Sequence, residues 1–340
     1  MSRPFAVPPP GVWVPAVTLF EPDTDRLLAN DQARYFAHLA STGITGLVVL
    51  GSNAETFLLT RDERRATLQT ARAAVGPDFP IMAGVSGHST AQVLEFLEDA
   101  YAAGANYGLL LPPAYFGAKA SSPAMLARFF DEVAAKTPLP LVIYNFPGLT
   151  AGVDLDSDAI ADLARRHPGV VVGVKLTCGS VAKVTRLAAE LTPAQFTVYG
   201  GQADFLVGGL ASGSGGCITA FGNVFPKTVV RIYEQWTGIS AKASATGAPE
   251  TKDARTADAR EADRAAALAL QHKAALAERP CKSGIATTKY AASYFTAPLA
   301  GIQDAEAKLR PRRPYLEPSD AEKARCRELM ADVAAIEKSL

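Results

Sequence analysis

From residue 12 to about residue 220, short runs rich in β-branched and aromatic residues alternate with longer amphipathic stretches, and few folds accept that pattern. The runs lie near Val12 to Leu19, Gly46 to Leu50, Pro80 to Ala83, Tyr107 to Leu111, Leu139 to Tyr144, Val170 to Lys175, Phe196 to Tyr199 and Gly216 to Ile218. Helical periodicity falls between them, around 31–42, 61–75, 90–103, 123–136, 156–166, 180–191 and 202–211, with an eighth stretch at 226–236. Each strand therefore needs a crossover, so the strands run parallel, and eight such units favour a closed (β/α)8 TIM barrel over an open doubly wound sheet. Thr60 with Glu63 reads as a capping box, and Asp156 or Ser157 caps the stretch through Leu163.

At 340 residues the chain has room for this barrel, assigned to 1–230, and for a C-terminal helical extension, assigned to 231–340. Helical patterns resume there near Ala262 to Leu276, Ser283 to Tyr290 and Pro318 to Ile336, with no strands between them. A polar stretch at about 239–263 lacks apolar periodicity and reads as a mobile surface insertion. The 34 basic and 34 acidic residues balance, which gives no electrostatic case for nucleic acid or an anionic membrane. Cys178, Cys217, Cys281 and Cys326 stand too far apart for zinc or redox motifs, so they read as reduced thiols and no metal is expected. The N-terminus has no long apolar h-region, and Lys338-Ser339-Leu340 scrambles the peroxisomal address; a cytosolic location is the expectation.

In a barrel of this kind the C-terminal tips of the strands converge on the active-site face. The tips carry Gly51-Ser52-Asn53-Ala54-Glu55, Pro112-Pro113-Ala114-Tyr115, Tyr144-Asn145-Phe146-Pro147-Gly148, Lys175-Leu176-Thr177 and Cys217-Ile218-Thr219-Ala220. Lys175 ends an apolar strand, where a dry pocket lets an amine attack a carbonyl, and Tyr144 on the preceding strand is a candidate proton carrier. His88 also falls on the rim, where it reads as a helix-start or interface residue before a substrate contact.

This order of motifs resembles the dihydrodipicolinate synthase and N-acetylneuraminate lyase family of class I pyruvate aldolases, across roughly residues 11–230. The resemblance implies that Lys175 forms a Schiff base with the keto carbon, so that no separate cofactor is needed. It implies that Tyr144 shuttles the proton and that Ser52 links it to Tyr115, a residue that often enters from a neighbouring subunit in a homo-oligomer (dimer or tetramer). Ser52 and Asn53 would hold the carboxylate, and Thr177, Leu149, Gly200, Asp204, Ile218 and Thr219 would line the rest of the substrate site.

Departures from the family pattern narrow the chemistry. Leu149 stands where the synthase branch places a carboxylate-binding arginine, and an apolar side chain cannot replace a bidentate guanidinium. Only Asp204, in Gly201-Gln202-Ala203-Asp204, could supply the acidic polyol contacts of the sialic acid lyases. The Ser52-Asn53 variant looks most like eukaryotic 4-hydroxy-2-oxoglutarate and fungal 2-keto-3-deoxy-sugar-acid aldolases. The expected reaction is cleavage of a small-molecule 2-keto-4-hydroxy acid to pyruvate and an aldehyde, with a neutral or sugar-derived aldehyde ranked above glyoxylate. A hydratase-aldolase or condensing lyase is the alternative within enzymes, and a noncatalytic 2-keto acid sensor the alternative outside them.

Overall fold

The computed structural model describes residues 7–242 and 255–340. Eight strands close into a parallel barrel in sequence order: β1 Gly11–Pro15, β2 Gly46–Val49, β3 Ile81–Gly84, β4 Tyr107–Leu110, β5 Leu141–Asn145, β6 Val171–Leu176, β7 Thr197–Gly200 and β8 Gly216–Ile218. The crossovers are α1 Ala29–Ser41, α2 Arg61–Val75, α3 Thr90–Ala102, α4 Pro123–Ala134, α5 Ser157–Arg166, α6 Val181–Glu190 and α7 Leu206–Ala211, and α8 Pro226–Thr237 follows β8. The capping box at Thr60 and Glu63 forms as expected, and Asp156, not Ser157, caps α5 through Ala159 N at 2.7 Å.

Seven of the strands lie within two residues of the sequence reading, whereas β1 ends at Pro15 and not at Leu19. Residues 16–20 stay buried but leave the sheet, because side chains take over their backbone groups: Val17 N donates to Asn223 Oδ1 at 3.1 Å and Leu19 N to Gln32 Oε1 at 2.9 Å. The apolar run thus reports burial correctly and strand length incorrectly.

The core has two layers. One wraps the barrel, where outward strand residues meet the helices. The other fills the barrel with Trp13, Val48, Met82, Tyr107, Leu109, Leu111, Val142, Tyr144, Val172, Tyr199 and Ile218, so every strand contributes to it. The proline run before β1 serves this interior: the carbonyls of Pro8 and Pro9 accept from the Tyr199 hydroxyl, and that of Pro9 from the Trp13 indole. Polar ends of large aromatics are thereby satisfied below the packed layer.

The C-terminal extension comprises α9 Ala257–Ala277, α10 Ile285–Phe295 and α11 Asp320–Ser339, joined through single helical turns at Arg279–Lys282 and Ala305–Lys308. Helix α9 starts five residues earlier than the periodicity suggested, because Thr256 caps it by accepting from Ala259 N. The end of the expected mobile insertion is therefore ordered helix, while 243–254 lie outside the described residues. The extension completes helix termini that the barrel leaves open. Helices α7 and α8 begin after Phe205 and Phe225, which have no side-chain cap to offer. Glu337 of α11 accepts from Lys227 N and Thr228 N, and Gln271 of α9 accepts from Val207 N, so orphan donors find partners more than sixty positions away.

Candidate active site

Lys175 reaches the barrel interior because β6 carries a bulge. The register pairs Leu141 with Val171 and Val142 with Gly173, which leaves Val172 as an extra residue. Val172 points inward with the interior cluster while Val174 packs in the outer layer. Plain alternation from Val172 would send Lys175 outward; the extra residue resets the phase and aims it in. Lys175 is 3% exposed, and its Nζ stands 4.2 Å from the centroid of the Tyr144 ring on the paired strand. Tyr144 is 4% exposed and packs against Phe146 at 5.8 Å. Among the described residues no carboxylate lies within ion-pair distance of Lys175. An amine so placed is confined, flanked by an aromatic face and, among the described residues, without a carboxylate partner.

A cavity of about 620 Å³ opens over the strand tips, walled by Ser52, Glu55, Phe57, Ser86, His88, Tyr115, Leu149 and the C-terminal Ile285, Tyr315 and Leu316, among others. Lys175 and Tyr144 are not in its wall. Leu111 belongs both to that wall and to the interior cluster that holds Tyr144, so one side chain is common to the cavity and to that cluster. Among the described residues the wall contains no lysine or arginine.

The remaining expected residues divide into three groups. Ser52, Tyr115 and Leu149 do face the cavity. The hydroxyl relay does not form within the single chain: among the described residues Ser52, Tyr144 and Tyr115 make no hydrogen bond with their hydroxyls, and Tyr115, 77% exposed, turns its ring toward His88 at 5.6 Å and Phe116 at 5.2 Å. His88 also stacks on Phe57 at 5.2 Å, which makes it a wall residue as well as a helix-start one. Asn53 sits in the helical turn Ser52–Ala54. Thr177 and Gly200 follow or end the strands beside Lys175, and Thr177 Oγ1 is buried without a hydrogen-bond partner among the described residues. A Cβ at Gly201 would stand 2.1 Å from that oxygen, so glycine there leaves Thr177 its place.

Asp204, Ile218 and Thr219 are not in the cavity wall. Asp204 pairs with Lys282, and Ile218 is fully buried in the interior cluster. Thr219 Oγ1 donates to Glu278 Oε1 at 2.9 Å, and the same carboxylate accepts from Ala203 N at 2.9 Å and Asp204 N at 2.7 Å. Burial pushes Glu278 up to about 7, with Asp204 adding to the rise and these hydrogen bonds opposing it. Burial likewise raises the thiol of neighbouring Cys217. Glu278 was not foreseen from sequence, because nothing local marks a carboxylate that serves groups seventy-five positions away. Lys289, which pairs with Glu55, escaped for the same reason; only Glu55 carried a signal, as the last residue of its motif.

The chain matches the Dihydrodipicolinate synthetase family over residues 9–253. It belongs to that family. A Coccidioides immitis protein named "Putative 4-hydroxy-2-oxoglutarate aldolase, mitochondrial" is 59% identical over 98% of both chains. An Aspergillus niger L-threo-3-deoxy-hexylosonate aldolase is 36% identical over 68% of this chain and 77% of its own. A crystal structure of a dihydrodipicolinate synthase family protein from C. immitis superposes with a TM-score of 0.87, at 57% identity, covering 98% of this chain and 99% of that one. This chain is a carbon–carbon lyase of the aldolase type. The cytosolic expectation is corrected by the mitochondrial names of the C. immitis relative and of an Emericella nidulans relative. The N-terminal composition on which that expectation rested does not separate cytosol from matrix.

Proposed function

We propose that the chain cleaves a 2-keto-4-hydroxy acid by a class I mechanism at Lys175. The Lys175 amine adds to the keto carbon, and Tyr144 gives the proton with which the hydroxyl leaves as water, giving a protonated imine and a tyrosinate. Tyr144 takes the proton from the C4 hydroxyl; the C3–C4 bond breaks, the aldehyde departs and its electron pair enters the imine as an enamine. Tyr144 returns that proton to C3, and hydrolysis releases pyruvate, restoring the amine and, with the proton set free, the phenol. The iminium is the electron sink, so the step as written uses no metal and no separate cofactor. Ser52 and Asn53 bind the carboxylate, and Thr177 Oγ1 bonds the hydroxyl at C4. The observation that carries this reading is a lysine aimed inward by the bulge, over a tyrosine ring at 4.2 Å, with no counter-ion among the described residues.

A cavity wall with no lysine or arginine among the described residues favours an uncharged, sugar-derived aldehyde, in keeping with the sugar-acid name of the A. niger relative. Glyoxylate as the aldehyde is the second reading, favoured by the name of the 59% identical relative. The enzyme works as a homo-oligomer whose partner copy supplies Tyr115, and it resides in mitochondria. Borohydride with pyruvate should place one covalent adduct on Lys175, absent from Lys175→Ala together with turnover. An adduct on any other lysine overturns the mechanism. Comparing kcat/KM for 2-keto-3-deoxy sugar acids and 4-hydroxy-2-oxoglutarate decides the aldehyde.

A further inference from the structure

We propose that Lys289, in the C-terminal extension, is a positioning residue for the pyruvate-binding turn of the barrel, acting through Glu55. This inference rests on the assignment of Ser52 and Asn53 as the carboxylate site. Lys289 Nζ donates to Glu55 Oε1 at 2.6 Å, and the two side chains are 0% and 2% exposed. The second carboxylate oxygen accepts from Arg312 N at 2.7 Å, so two separate pieces of the extension grip one side chain.

That side chain belongs to a strained residue. Glu55 sits at φ 57 and ψ 38, in the left-handed region that non-glycine residues avoid, and its backbone closes the turn: Glu55 N donates to Ser52 O at 3.0 Å and Leu58 N to Glu55 O at 2.8 Å. Such a conformation persists only where its surroundings over-determine it. The Thr18 hydroxyl fixes the preceding peptide by donating to Ala54 O at 2.8 Å. The Phe20 ring lies 4.5 Å from Lys289 Nζ and 5.1 Å from the Arg312 guanidinium, covering both cations. The turn's backbone N–H groups and the Ser52 hydroxyl therefore stand where the extension puts them.

A buried ion pair gives little net stability over an apolar pair of the same volume, so stability alone does not account for this one. Its effect is directional: it specifies where Glu55 and the three residues before it are held. Lys289→Met leaves the Glu55 charge buried and half-partnered, and the turn relaxes toward solvent to rehydrate it.

The test is a pyruvate titration of borohydride trapping on the full chain, read as the half-saturating concentration and the plateau, with Tm measured alongside. Lys289→Met should raise half-saturation at least tenfold while more than half of the plateau survives, because Lys175 itself is untouched. Glu55→Gln with Lys289→Met, which removes both charges, should return half-saturation to within about threefold of wild type. Should Lys289→Met fail to fold, Glu55→Gln alone, which keeps the volume, takes its place with the same expected rise. A lowered Tm with unchanged half-saturation would mark the pair as merely structural and overturn the inference. Failure of the wild type to trap pyruvate overturns the aldolase mechanism itself; trapping by the wild type with no change in the variants overturns only the role of Lys289.

Discussion

Glu278 is held by three donors yet sits in surroundings that favour its proton. Its carboxyl is raised from 4.5 to about 7 by burial, with Asp204 adding to the rise and the Ala203, Thr219 and Lys282 groups opposing it. Because the folded state binds the proton more tightly than the unfolded chain, the stability this group contributes is fully present below about 4.5 and is lost as pH rises to about 7. The loss is on the order of 3 kcal/mol at most, since each tenfold gain in proton affinity on folding is worth ~1.4 kcal/mol. Unfolding wild type and Glu278→Gln in urea from pH 4 to 8 should show their difference moving against wild type through this window and levelling above it. A difference independent of pH would show that Glu278 binds its proton no more tightly in the folded state than in the unfolded chain.

At the scale of an element, β6 carries the decision that matters for chemistry. Its composition announces a buried strand and its terminal lysine announces a site, but the inward aim of Lys175 depends on the extra residue Val172, which only pairing with β5 exposes. Gly173 makes the pairing of β6 with β7 on its other side possible: a Cβ there would stand 2.8 Å from the Thr197 carbonyl of β7, a contact no relaxed side chain tolerates. Gly173→Ala should push β6 and β7 apart, destabilise by about 1–3 kcal/mol and slow adduct formation at Lys175. Wild-type melting together with wild-type trapping would show that the strand absorbs the methyl group. The helices tell a similar story in reverse. Thr60 and Asp156 cap their own helices with local side chains and could be read off the chain, whereas α7 and α8 borrow Gln271 and Glu337 from the extension.

For the whole molecule, the rim of the cavity is the telling surface. Tyr115, Phe116, Tyr315 and Leu316 are each more than half exposed there, and Phe116 meets Tyr115 edge to face. Large apolar side chains gathered at one mouth mark a surface that another molecule covers, and the proposed occupant is a second copy. Sedimentation at micromolar concentration should find a dimer or tetramer, and Tyr115→Ser with Phe116→Ser should weaken assembly and lower kcat together. A fully active monomer would place the whole site within one chain.

The chain's own order of residues determined the parallel barrel, because eight apolar runs separated by helical stretches leave each strand a crossover and no other partner. It also determined which tips bear an amine, a phenol and a hydroxyl. Tertiary structure decided how those groups face. The bulge at Val172, the tail carboxylates at open helix ends and the grip of Lys289 on Glu55 all join residues distant in sequence or depend on the register of a neighbouring strand. Periodicity reports burial along one segment; orientation and pairing are properties of two segments at once, and they exist only after the barrel has closed.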